Sequence, residues 1–84
     1  MENIIAVFSN RNHAMQFASY LKRLGVKSNT INTPRELSVS CGISVVFSVK
    51  YLGQARMLID RYGLNRYVKL YVTSGDLFKK FHQI

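Results

Sequence analysis

Apolar and polar positions fall along this chain in blocks whose period changes from one element to the next. Ile4 to Phe8 is an unbroken apolar run with β-branched residues, closed by Ser9-Asn10, which predicts a strand buried on both faces. Ala14, Phe17, Ala18, Leu21 and Leu24 then recur at helical spacing, with Gln16, Lys22 and Arg23 off that stripe. The pattern predicts an amphipathic helix capped by Asn10 or Asn12 and stopped at Gly25. Val26 to Asn32, rich in Ser, Thr and Asn, predicts a half-exposed strand, and Ile43 to Val49, β-branched and aromatic, predicts another. Leu52-Gly53-Gln54 leads into a second helix with Ala55, Leu58, Ile59 and Tyr62 on one face and Gly63 at its end. From Tyr67 to Val72, residues Val68, Leu70 and Val72 alternate with Tyr67, Lys69 and Tyr71, the period of a final strand. Past Thr73-Ser74-Gly75, the spacing of Leu77, Phe78 and Phe81 predicts a short amphipathic tail helix capped near Ser74 or Asp76.

The order β-α-β-β-α-β suits an α+β, ferredoxin-like arrangement over residues 1–84. It has an antiparallel sheet, two helices on one face through right-handed crossovers, and the short C-terminal helix appended. The second face and the edges of such a sheet invite a partner, and a homodimer would cover that face economically.

At 84 residues the chain lies near the lower end of what folds without staples, so an enclosed active-site cavity is not expected. Its one cysteine excludes an internal disulfide framework. The N-terminal stretch has no basic region and too short an apolar run for a signal peptide, and no segment is long enough to span a bilayer. The expectation is a cytoplasmic protein whose thiol stays reduced. The net charge of +8, from 12 Lys and Arg against 4 Asp and Glu, attracts polyanions or acidic partners without naming one. The cations are scattered and form no long basic run.

Thr33 to Gly42, around the single cysteine, carries the most specific chemistry. Thr33 suits an N-cap, Pro34 a first helical position and Glu36 the third, which together read as a capping box opening one helical turn. Gly42 permits a left-handed backbone directly after Cys41. Backbone N–H groups and the hydroxyls of Ser38 and Ser40 can face an anion there. A thiolate at neutral pH needs such donors or a nearby cation; Arg35 is the nearest in sequence, and His13 is an auxiliary if the first strand–helix turn lies close. Cys41 is then either an accessible, reactive thiol or a small buried apolar side chain at the start of a strand.

The run Thr33-Pro34-Arg35-Glu36-Leu37-Ser38-Val39-Ser40-Cys41-Gly42-Ile43, with Phe47 downstream, resembles the small bacterial DUF3343 family of selenium/sulfur carrier-like proteins. The likeness extends in outline over most of the chain, including the leading apolar strand and the polar segment ending in His13-Ala14. The resemblance implies a chalcogen carried on Cys41, with Thr33, Pro34, Arg35, Ser38, Ser40 and Gly42 as its setting; sulfur or selenium donor and acceptor proteins are the expected partners, and no cofactor is expected. In this sequence the polar segment Ser9 to His13 holds one histidine and adds Arg11.

Other chemistries fit less well. His13 and His82 have no Cys or carboxylate at ligand spacing, so an internal metal site is not expected. Glu2, Glu36, Asp60 and Asp76 show no pairing suited to acid–base catalysis, and no Gly-rich phosphate loop is present. A Cys–His nucleophilic enzyme would need Cys41 and His13 in contact and a substrate pocket. A basic nucleic-acid-binding module is the second reading, on the charge and on Tyr67 and Tyr71, although the first and third strands lack the aromatic pattern of RNA-recognition sheets. A structural or regulatory dimer with an inert thiol is the third.

Overall fold

The computed structural model describes residues 2–34, 37, 42–74 and 80–84, with backbone alone for 74 and 80–82. The apolar run becomes β1 (Asn3–Phe8). Ile4 to Phe8 are all buried, as expected of a strand covered on both faces. It leads through Asn10 into α1 (Arg11–Arg23). The Asn10 side chain accepts a hydrogen bond from the Asn12 N–H at 2.8 Å, satisfying one of the free donors of the first turn.

Helix α1 ends in a Schellman cap. Gly25, at φ 76°, donates from its N–H to the Lys22 carbonyl at 3.0 Å, and the Val26 N–H donates to Leu21 at 2.9 Å. Two details of the sequence expectation change as a result. Val26 is held by the cap, so β2 (Ser28–Asn32) starts later than Val26. Leu24, as the cap residue, turns outward and is exposed instead of completing the buried stripe.

After β3 (Ile43–Ser48), the Ser48 hydroxyl accepts from the Lys50 N–H, and a 3-10 turn over Val49–Tyr51 runs into α2 (Leu52–Arg61). The end of α2 repeats the Schellman pattern, with Gly63 at φ 67° bonded to Asp60 and Leu64 bonded to Ile59. Tyr62 is the cap residue here and is exposed, whereas Ala55, Leu58 and Ile59 are buried as the spacing implied. Among the described residues, no helix is long and apolar enough to cross a membrane.

Strand β4 (Val68–Ser74) is followed by β5 (Lys80–Gln83), and the sheet order is β2-β3-β1-β4-β5 with every neighbouring pair antiparallel. The chain therefore forms an α+β fold, but its ending differs from expectation. Phe81 lies in a strand paired with Thr73, and Ser74 belongs to β4, paired with Lys80. Asp76, Leu77 and Phe78 lie outside the described residues. A helix of so few residues is marginal alone, whereas the outer edge of β4 offers a row of backbone partners.

One face of the sheet carries both helices. Ile4, Ala6 and Phe8 of β1 and Val45 and Phe47 of β3 meet Ala14, Phe17 and Leu21 of α1 and Ala55, Leu58 and Ile59 of α2 in one cluster. Phe17 contacts both Phe8 and Phe47, with ring centroids 5.3 and 6.0 Å apart. The opposite face is not open at its centre, contrary to the sequence expectation. Ile5, Val7 and Val46 are buried there, and Ile31, Leu37 and Tyr71 pack against them.

Candidate functional site

Strands β2 and β3 are adjacent and antiparallel, with Asn32 opposite Ile43. Their connection is residues 33–42, well beyond the 2–5 residues typical of a hairpin loop. Long loops whose ends adjoin are frequently functional.

The base of this loop is closed by specific bonds. The Thr33 N–H donates to the Gly42 carbonyl at 2.7 Å, extending the ladder beyond the last paired residues. The Thr33 and Ser44 hydroxyls lie 2.7 Å apart and share a hydrogen bond. Ser44 is completely buried, and a buried hydroxyl without a partner would cost about 1–3 kcal/mol. Thr33 supplies that partner. Within the loop, the Leu37 N–H donates to the Pro34 carbonyl at 2.9 Å, an i to i−3 turn beginning at Pro34 as the sequence suggested. Leu37 itself packs on Ile5, Val7 and Val46. The loop is thus pinned at its base and again at Leu37, across the sheet from the helices.

Gly42 takes φ +72°, and a Cβ placed on it would meet nothing within 4 Å. The need for glycine comes from the backbone turn and not from crowding. Arg35, Ser38, Ser40 and Cys41, and the Glu36 half of the expected capping box, lie outside the described residues.

His13 occupies the first turn of α1. Its ring stacks on Tyr67 at 4.2 Å between centroids and 30° between planes. Its Nδ1 is buried with no hydrogen-bond partner among the described residues. The sheet register relates this helix start to the loop. Val7 is paired with Ser44 on one side and Lys69 on the other, so the end of β1, the base of the loop and the start of β4 share one end of the sheet. Ser9 marks the same end, its N–H donating to the Tyr67 carbonyl at 2.9 Å. Sequence reasoning does not bring Ser44 and Tyr67 into this arrangement. A lone hydroxyl inside the apolar run Ile43-Ser44-Val45-Val46-Phe47 is the available signal for Ser44. Nothing local announces that Tyr67 meets a ring more than fifty residues away.

A family model described as "Putative Se/S carrier protein-like" matches residues 3–68. The chain belongs to that family. The match runs from the start of β1 to the first residue of β4 and takes in the whole loop with Cys41, so the Se/S carrier-like region leaves out most of β4 and all of β5. Nothing among curated proteins or solved structures matches this Se/S carrier-like chain significantly.

Proposed function

We propose that the protein carries sulfur or selenium on Cys41. The observation that carries this reading is the family match across residues 3–68, within which Cys41 is the single thiol. Two features of the loop support it. Bonds from Thr33 to Gly42 and Ser44 hold both ends of the segment in place, and the left-handed backbone at Gly42 turns the chain directly after the thiol. In the proposal Thr33, Pro34 and Gly42 shape the loop. Arg35 supplies a cation and Ser38 and Ser40 supply hydroxyl donors to the thiolate, the conditions under which a cysteine ionises at neutral pH. The strand order β2-β3-β1-β4, with both helices on one face, supports a ferredoxin-like unit bearing this loop.

The transfer balances without an external oxidant. The Cys41 thiolate attacks the outer sulfur of a donor persulfide, R–S–SH. A new S–S bond forms as the donor's S–S bond breaks, and R–S⁻ leaves as a thiolate. Cys41 then holds –S–SH, and an acceptor nucleophile removes the outer sulfur and restores the thiolate. Selenium follows the same course with Se as the outer atom.

Incubation with glutathione persulfide followed by intact-mass measurement is the test. The wild type is expected to gain one sulfur atom, and Cys41→Ser to gain none; equal spectra for both would refute the proposal. His13 enters as an auxiliary on position alone, because α1 starts at the loop's end of the sheet. Slower loading of His13→Phe supports that role, and unchanged loading removes it.

A further inference from the structure

We infer a second, independent site: a cationic, aromatic groove at the end of α2 and the start of β4 that binds single-stranded nucleic acid. Two clefts adjoin there, one of about 520 Å³ and one of about 320 Å³, sharing Asn65, Val68, Lys69 and Gln83 along their common border. Arg56 lines the first, Arg66 the second and Lys69 both, and among the described lining residues Asp60 is the only one with a carboxylate side chain. Together the clefts form an open track with a net positive lining, which suits a phosphate backbone.

The aromatic groups at this end distinguish the site from a general basic surface. Tyr67 lines the second cleft and remains 39% exposed although one side of its ring stacks on His13. A ring held by a stack and still exposed is a ready platform for a base. Tyr62, at the end of α2, is built in the same way. It stacks on Tyr20 at 4.1 Å and 14°, is 44% exposed, and has the Arg61 guanidinium 5.9 Å from its centroid. The Gln16 amide donates to the Tyr20 hydroxyl at 2.8 Å and steadies that pair. The centre of the sheet face used by RNA-recognition modules is occupied here, with Leu37 packed on the buried Ile5, Val7 and Val46. Unpaired bases are the fitting occupant, since the bases of a duplex are already stacked and gain nothing from an exposed ring.

Titration of a short, labelled, mixed-sequence oligoribonucleotide, followed by fluorescence anisotropy, tests the site. Three phosphate contacts through Arg56, Arg66 and Lys69 imply an affinity that falls about 20-fold between about 50 and 200 mM salt, and only about 3-fold once two are removed. The double variant Arg66→Glu/Lys69→Glu changes exposed side chains only, so it is expected to stay folded, bind more weakly and lose most of that salt dependence. Tyr67→Leu, checked for folding by circular dichroism, is expected to lose at least about 5-fold in affinity. No binding at low salt, wild-type binding by the charge-reversal variant, or equal affinity for the matching duplex or for AMP would each overturn the inference. Cys41→Ser is expected to bind like the wild type, because none of the described residues of the 33–42 loop, Thr33, Pro34, Leu37 and Gly42, lines the groove. Failure here therefore leaves the carrier reading standing, and the reverse also holds.

Discussion

Replacing Gly42 with alanine adds a methyl group that meets no atom within 4 Å, so its cost must come from the backbone. At φ +72° an L-residue brings its Cβ against the following carbonyl oxygen, at about 1–2 kcal/mol. Gly53 provides the internal control. A Cβ there also meets nothing within 4 Å, its φ is not positive, and it sits in the first turn of α2. Gly53→Ala removes unfolded-chain freedom without strain and should stabilise by about 0.5–1 kcal/mol. The same chemical change is thus expected to act in opposite directions at two sites with equal free space. For a domain of this size 1 kcal/mol moves the midpoint by about 4–8 °C. Gly42→Ala should therefore melt about 4–16 °C below the wild type, and Gly53→Ala about 2–8 °C above it. Thermal melts by circular dichroism, with urea unfolding to confirm an unchanged m value, would measure both. Gly42→Asn, which tolerates the left-handed region better, should fall between Gly42→Ala and the wild type. A Gly42→Ala protein as stable as the wild type would refute the assignment of a left-handed turn after Cys41.

Ser44→Ala and Thr33→Val are each expected to cost about 1–2 kcal/mol by leaving the other hydroxyl unpartnered, and the double variant less than their sum; additive urea-unfolding energies would deny the Thr33–Ser44 bond at the base of the loop. Asn10→Ala should destabilise by about 1 kcal/mol through loss of the α1 cap, with Asn10→Ser close to neutral in the same assay. His13→Phe keeps a ring against Tyr67 and removes a buried nitrogen without a partner, so its urea midpoint should equal or exceed that of the wild type. A drop of more than about 1 kcal/mol would mean that the nitrogen has a partner in solution.

Features decided within a few residues are legible in the order of amino acids alone. The apolar run of β1, the stripe Ala14, Phe17, Leu21, the cap at Asn10 and the left-handed turns at Gly25 and Gly63 each carry a signature in residues that neighbour one another along the chain. The left-handed turn at Gly42 belongs with them, because only a missing Cβ makes it inexpensive. Leu24 and Tyr62 fit the apolar spacing but are exposed, since spacing takes no account of the cap geometry that swings the last residue of a helix outward.

Contacts between distant segments have no such local signature. The spacing of Phe81 from Leu77 and Phe78 is helical, yet the edge of β4 offers Phe81 backbone partners that a short helix could not match. Leu37, from the loop between β2 and β3, packs on Ile5, Val7 and Val46 at the centre of the second face, a contact that no local spacing announces. Thr33 meets Ser44, and His13 meets Tyr67, only because the sheet places those strands side by side. For Cys41 the division is different. Its surrounding motif is recognisable from the residues alone and points to the family that the chain belongs to. Tertiary structure decided how the loop holding it is closed, because Thr33 and Gly42 meet only when β2 and β3 pair.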